Sequence, residues 1–437
     1  MHSGKLTDHM YPSDAIRHRV SVQRLVHGGR GLVRLPDGIA FVDGVAVGDL
    51  VEVGEPQRRG AARVAPLLAV LEPSADRVSP PCPIVDRCGG CTWQHIGVTA
   101  QRNAKRDILS ESLRRVGGIE WNPAEIEMVV GDAWGYRSRV QLHGMADGRP
   151  AYRRRGSHEL VPVDDCLVAD PQLRSALPEL RLAAGGRTTL VAGSGDAGEG
   201  VARSDRDSLV TVQLAHQSFR FHSGSFAQAN HALLPELGRR IAGALADALP
   251  QSDPAGIELV DLYAGAGLLP ALALAWLPLG VALPDEIICV EPDTRNLRLA
   301  AENIRTAYRL RAAPDGAAAA EGPLVSCRGQ RAEGAIHSGV LHKGRGGGAG
   351  ATRLDWQAVL VDPPRAGLSA PVRTALTAAP GTGPDLLIYL SCDAATLARD
   401  LGTLTSAWEI HSISLLDFYP QTPHLETLVV LRPPESP

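Results

Sequence analysis

Five short apolar runs dominate the C-terminal half of the chain: IELVDLYAGAG, EIICVEPD, GPLVSCRG, QAVLVDPPRAG and DLLIYLSC. Each is continuously apolar rather than alternating, and each is bounded by a Gly, a Pro or a polar residue. Continuous apolarity means that both faces of a strand are covered, the condition of parallel strands packed between helices. Repeated with helix-length intervals, the pattern predicts a doubly wound α/β domain over residues 216–437. The longest apolar stretch, Leu268 to Pro284, carries three prolines and is short for a membrane span. It predicts a buried helix followed by a loop, and no membrane partner. No basic segment leading into an apolar one opens the chain, so no signal peptide is read and a cytoplasmic protein is expected.

A chain of 437 residues is too long for one ordinary core. Residues 13–72 alternate apolar and polar positions and are punctuated by Gly28-Gly29, Pro36-Asp37-Gly38, Asp43-Gly44 and Gly48-Asp49. That spacing predicts a meander of about five strands closed into a small OB-like barrel. Residues 73–215 begin rich in Pro, Cys and Gly, pass through a helical stretch and continue as irregular β structure. Two segments, RAAPDGAAAAEG and His342 to Arg353, read as connectors, the second as a flexible surface loop.

Charge is uneven along the chain. Residues 1–160 hold 22 Lys and Arg against 18 Asp and Glu, a net +4, whereas the remainder is 22 against 30, a net −8. A basic front suits a polyanion, although two solvated domains of different charge would give the same count.

The seven cysteines are an odd number in a large chain with no sign of export, which argues for metal or catalytic roles over a disulfide framework. Cys82, Cys88 and Cys91 follow a C-x5-C-x2-C spacing around Gly89-Gly90, and Cys166 lies far downstream. Four thiolates suit zinc or an iron–sulfur cluster, and on spacing alone zinc is slightly favoured as the commoner structural metal.

The tips of the predicted parallel strands carry the chemistry. After the first run, Gly265 and Gly267 allow a sharp turn close to a ligand, but the third glycine of a dinucleotide fingerprint is missing. The second run ends in Glu291, placed to accept hydrogen bonds from ribose hydroxyls. A nucleoside without a pyrophosphate fits both, and S-adenosylmethionine is the candidate. The fourth run ends in Asp362-Pro363-Pro364-Arg365. An aromatic residue in place of Arg365 would suit methylation of an exocyclic amine; arginine leaves room for a carbon target. The fifth run delivers Cys392 to a strand-to-helix junction, where a helix dipole favours thiolate. The tail supplies Asp417, Thr422, His424 and Glu426, with His424 and Glu426 expected on one strand face.

In this order the motifs resemble the bacterial RNA uracil-5-methyltransferase family, over nearly the whole chain. SFAQAN, DLYAGAG, VDPPRAG, LSCDAATLARDL and DFYPQTPHLETL are each similar to a family motif. The resemblance implies a class I S-adenosylmethionine-dependent methyltransferase domain preceded by a TRAM-type barrel and a small cluster-binding domain. It implies that Gln228, Tyr263, Glu291 and Asp362 touch S-adenosylmethionine, alongside the Gly265 turn. Cys392 would be the nucleophile and Glu426 the base of a reaction forming 5-methyluridine. CPIVDRCGGCTWQH is similar to the motif of the ribosomal-RNA branch, which shifts the metal expectation from zinc to a [4Fe–4S] cluster on Cys82, Cys88, Cys91 and Cys166. The implied partner is RNA, ribosomal favoured over transfer, for a monomeric enzyme. Arg137, Arg139 and Arg153 to Arg155, interleaved with Trp93, Tyr136 and Tyr152, are read as an RNA grip, and Arg24, Arg30 and Arg34 as a second basic surface. Ala264 and Ala227 depart from the family, which favours Cys and an aromatic there. The competing readings are an amine methyltransferase and a non-catalytic RNA-binding protein.

Overall fold

A computed structural model describes residues 16–195, 198–206, 208–214, 217–250, 256–312, 322–341, 355–377 and 383–434. The Gly-rich segment from His342 to Arg353 and most of RAAPDGAAAAEG lie outside them. Contacts divide the described residues into two compact units: 16–109 with 153–161 and 419–424, and 110–152 with 162–418 and 425–434.

The first unit is largely β. Leu50–Gly54 is the centre of a three-stranded antiparallel sheet, flanked by Arg17–Ser21 and Leu67–Glu72. A five-stranded sheet runs in the order Arg24–Leu25, Gly31–Leu35, Gly38–Val42, Ala62–Ala65 and Gln57–Arg59. The sheets share one core that includes Val22, Val33, Val42, Val51 and Val53. Strands of two and three residues carry no readable alternation, which is why the sequence suggests fewer. Within the same unit, Gln421 adopts a left-handed φ of 66°, uncommon for a residue with a Cβ. It is held there by reciprocal hydrogen bonds with Gln101, at 2.8 and 3.0 Å.

The second unit contains two sheets. In one, Arg139–Gly144, Arg187–Gly195, Leu209–Leu214 and Gln217–His222 are successive antiparallel neighbours, and Gly198–Arg203 pairs beside the second of them. The other holds β1 (Glu127–Val129), β2 (Ile257–Asp261), β3 (Glu286–Val290), β4 (Leu324–Arg328), β5 (Trp356–Val361), β6 (Leu386–Ser391), β7 (Glu409–Leu416) and β8 (Glu426–Arg432). Its strand order is β4-β3-β2-β5-β6-β8-β7-β1. The five continuous apolar runs are β2 to β6, all parallel. Every residue of β2, β5 and β6 is buried, as strands covered on both faces require. The covering helices are α1 (Leu234–Ala248), α2 (Leu268–Trp276), α3 (Thr294–Ala312), α4 (Ala332–His337), α5 (Ala370–Leu376) and α6 (Ala394–Leu404). The apolar stretch opening at Leu268 is α2, a buried helix as expected, and no helix among the described residues is long and apolar enough to cross a membrane.

Chain order reverses between β2 and β5. In an open α/β sheet that reversal leaves a crevice beyond the strands' carboxyl ends. β8 runs antiparallel to β6, so its first residue, Glu426, arrives at that same edge.

Candidate active site

Strand register sets the site. Asp261 pairs with Leu360, Val361 with Tyr389 and Ser391 with Thr427. Continued one residue past Ser391, the antiparallel register puts Cys392 opposite Glu426. Directly opposed residues on antiparallel strands project to one face, with Cβ atoms about 4.5–5.5 Å apart. Asp362 ends the adjacent strand on the other side, so acid, thiol and acid occupy three consecutive strands at one edge of the sheet. His424 does not share a face with Glu426, because β8 begins at Glu426; His424 is exposed outside the strand.

The glycine turn follows β2. The Tyr263 amide donates to Asp261 Oδ1 at 3.3 Å, and the Ala264 amide to the Val290 carbonyl at 3.1 Å. Gly267, at φ 76°, ends the turn and leads into α2; a Cβ there would lie 2.9 Å from the Ala300 Cα. At Gly265 a Cβ would meet nothing within 4 Å, so the turn faces open space. Glu291 clamps this turn: one oxygen accepts from the Gly265 amide at 3.1 Å, the other from the Asp293 amide at 2.9 Å. Each carboxylate oxygen has a second lone pair for a further donor.

Several buried acceptors await one. Asp261 Oδ2, Gln228 Oε1 and both carboxylate oxygens of Glu426 are buried without a hydrogen-bond partner among the described residues. Gln228 Nε2 donates to Asp362 Oδ2 at 3.5 Å. Buried polar groups are normally satisfied, so such a cluster fits a ligand rich in donors and positive charge, as S-adenosylmethionine is.

The electrostatics correct one expectation. Burial first, then the charges of Glu426 and Asp362, push the Cys392 thiol up to about 11. The start of α6 does not favour thiolate because Asp393 occupies it: its Oδ1 accepts from the amides of Ala395 and Thr396 at 3.1 and 2.9 Å. Burial raises Asp261 to about 8 and Asp362 to about 7, and holds Glu426 well above the usual carboxylate range. Alkylation of Cys392 by iodoacetamide in cofactor-free protein is therefore expected to keep rising with pH through about 11. The rate would be read by peptide mass spectrometry. A plateau below pH 9, the ordinary thiol value, would contradict this charge arrangement.

Asp400 fixes the loop that carries Asp362 and Arg365. Its fully buried carboxylate accepts from the Tyr389 hydroxyl at 2.7 Å and the Leu368 amide at 2.8 Å, and pairs with Arg373 and Arg399. Arg399 in turn donates to the Ala366 carbonyl at 2.9 Å, and Thr396 Oγ1 to the Arg365 carbonyl at 3.2 Å. Asp400→Ala is expected to cost about 3–5 kcal/mol in chemical denaturation, because buried donors and cations lose their acceptor. A loss below about 1 kcal/mol would mean that these pairs behave as surface ones.

Other predicted residues are not brought into this site. Cys82, Cys88, Cys91 and Cys166 are half-buried and in no disulfide among the described residues, and the Gly90 amide donates to Cys88 Sγ at 3.4 Å. Among the described residues no group of three or more His, Cys, Asp or Glu is arranged to hold a metal ion. The predicted RNA grip also changes. Trp93 and Tyr136 are buried, so neither offers a ring for stacking. Arg139 turns inward to the Ser225 carbonyl, and Arg154 and Arg155 pair with Glu159 and Asp43. One residue of the site was missed from the sequence: Asp261, at the end of β2, was given no role there, although its buried Oδ2 lacks a partner among the described residues.

A doubly wound sheet with a nucleoside-type turn and a thiol at its switch edge defines a class I methyltransferase domain. Residues 345–433 match the family model described as tRNA (Uracil-5-)-methyltransferase. The 23S rRNA (uracil(1939)-C(5))-methyltransferase RlmD of Halomonas elongata is 30% identical, with 96% of this chain and 90% of that one aligned. A Streptomyces coelicolor protein described as an uncharacterized RNA methyltransferase is 28% identical over 95% of this chain and 93% of its own. The fold matches that of Pyrococcus abyssi tRNA (uracil-54, C5)-methyltransferase, solved with S-adenosyl-L-homocysteine. The TM-score is 0.63 at 19% identity, over 95% of this chain and 100% of that one. The chain belongs to the RNA uracil-5-methyltransferase family.

Proposed function

We propose that the protein methylates C5 of a uridine in RNA, ribosomal RNA before transfer RNA, with Cys392 as nucleophile and Glu426 as base. The observation that carries this is the register that sets Cys392 opposite Glu426, beside Asp362, at the ligand edge of the sheet. Uracil C5 is a weak nucleophile. The Cys392 thiolate adds to C6, forming an Sγ–C6 bond and moving the ring electrons to C5 as an enolate. S-adenosylmethionine supplies the methyl group that C5 takes. Glu426 then removes the C5 proton, and the electron pair left behind expels Cys392, restoring the ring. The target base must leave its stack to reach these side chains.

Gln228, Tyr263, Gly265, Glu291 and Asp362 form the cofactor's binding surface in this reading. It is supported by the open turn at Gly265 and by the unpartnered acceptors of Asp261 and Gln228. The β-rich N-terminal residues act as a TRAM-type RNA-binding barrel. Cys82, Cys88, Cys91 and Cys166 hold a [4Fe–4S] cluster, a reading supported by the C-x5-C-x2-C spacing and by the Gly90 amide on Cys88 sulfur. Anaerobically purified protein is expected to be brown and to contain about four irons; a colourless protein with stoichiometric zinc would contradict the cluster.

The test of the function is direct. Wild-type protein is incubated with methyl-labelled S-adenosylmethionine and total RNA from cells lacking the gene, and the RNA is digested to nucleosides. Label in 5-methyluridine is expected; label confined to N-methylated nucleosides would replace this reading with an amine methyltransferase.

A further inference from the structure

A cavity of about 530 Å³ lies outside the catalytic cleft, lined by residues within the strands Arg187–Gly195, Gly198–Arg203 and Leu209–Leu214 of the antiparallel sheet, by Asp170 to Gln172, and by the segment that follows Gln228. Its polar lining includes Gln172, Ser194, Thr211, Gln213 and His231, beside Tyr136. We propose that this cavity takes a nucleobase of the RNA that flanks the target uridine, an inference resting on the function proposed above.

The lining selects the ligand class. None of the lining residues is Lys or Arg, and the one charged group is an acid, Asp170, so a phosphate is disfavoured. Several lining groups already have partners: Gln172 Oε1 accepts from the Gly193 amide at 3.1 Å, Ser194 Oγ donates to the Thr211 carbonyl at 3.3 Å, and Gln213 Nε2 donates to Ser218 Oγ at 2.9 Å, which leaves their remaining valences and the His231 ring for a polar edge. A flat heterocycle with donors and acceptors on its edges suits both kinds of wall, and 530 Å³ is ample for a nucleoside. His231 is the pointed observation. Burial, with Arg139 nearby, drops its pKa to about 4, so the ring is neutral and offers one donor and one acceptor. Its ring nitrogens make no hydrogen bond to any described residue; the ring meets Phe221 edge-on at 6.3 Å.

Position relates the cavity to the cleft. Gln228 touches Asp362, and His231 is three residues further on. Three residues reach about 10 Å at most, within the span of one or two nucleotides. The segment is fixed rather than loose. The Ser138 amide donates to the Ala229 carbonyl at 2.7 Å, and the His231 amide to Ser138 Oγ at 3.3 Å. A uridine drawn out of its stack leaves its neighbours unstacked, and a second pocket nearby gives one of them new contacts.

The test uses Ser194→Cys as a reporter inside the cavity, with total RNA from cells lacking the gene as the probe. Peptide mass spectrometry follows iodoacetamide labelling of residue 194 with and without RNA. Labelling is expected to slow about tenfold when RNA is bound. Gln213→Trp, at an exposed position where folding is not at risk, should raise KM for the RNA about tenfold with kcat retained, by filling the cavity. Equal labelling of residue 194 in a sample whose Cys392 carries trapped 5-fluorouridine RNA would overturn the proposal. So would an unchanged KM in folded Gln213→Trp. Either result leaves the function reading intact, whereas wild-type protein that methylates no RNA fails that reading and this one together.

Discussion

Cys392→Ala is expected to lower kcat for 5-methyluridine formation by on the order of 10⁴- to 10⁶-fold, the scale on which removing a covalent nucleophile acts. Without Sγ, uracil C5 has no means of becoming an enolate, and no other cysteine among the described residues stands at this edge to replace it. Cys289 is fully buried within β3, and Cys327 lies on β4, at the far edge of the sheet order. The variant should fold normally, since Cys392 is only half-buried and Asp393, not the thiol, caps α6. It should also keep cofactor affinity, readable by calorimetry, because the proposed binding groups are on other strands. Folded protein that binds cofactor yet makes no product, measured by nucleoside chromatography, is the expected combination. Residual activity within about tenfold of wild type would mean that the methyl group reaches C5 without covalent help.

Glu426→Gln separates the two halves of the reaction. The amide cannot accept the C5 proton, so turnover should fall about 10²- to 10⁴-fold. Addition of Cys392 and methyl transfer precede that step, so the covalent RNA complex should form and accumulate with ordinary, unfluorinated RNA. A denaturing gel reads it as a persistent protein–RNA band. The same substitution removes a group that, once ionised, raises the Cys392 thiol, so iodoacetamide labelling at a fixed alkaline pH should become faster. Release of product at the wild-type rate would remove Glu426 from the base's role. Glutamine keeps the shape of a buried, unpartnered side chain, so loss of fold is not the expected outcome.

The catalytic sheet was legible in the sequence because its evidence is local. β2 to β6 are continuous apolar runs, and their tips carry Gly265, Glu291, Asp362 and Cys392 in an order that a parallel sheet translates directly into one edge. What was hidden depends on distant partners. β1 is three residues, Glu127–Val129, and its pairing with β7 has no signature within so short a run. Trp93, Tyr136 and Arg139 look like a nucleic-acid surface by residue type, but the tertiary fold buries the two rings and turns the arginine onto the Ser225 carbonyl. The thiol was read as dipole-activated, yet burial first, and then Glu426 and Asp362, which neighbour it only through register, push it up. Four cysteines can be counted in a sequence; whether they converge on one ion cannot.

The central claim is that a bond forms between Cys392 and a pyrimidine carbon, so that carbon rather than nitrogen is methylated. The most direct measurement is the mass of the Cys392-containing peptide after wild-type protein meets S-adenosylmethionine and 5-fluorouridine-substituted RNA, followed by nuclease and protease digestion. Fluorine at C5 blocks the step assigned to Glu426, so the account predicts a peptide carrying a methylated fluorouridine nucleotide on Cys392. An unmodified Cys392 peptide, in a sample whose unsubstituted RNA is methylated normally, would contradict it.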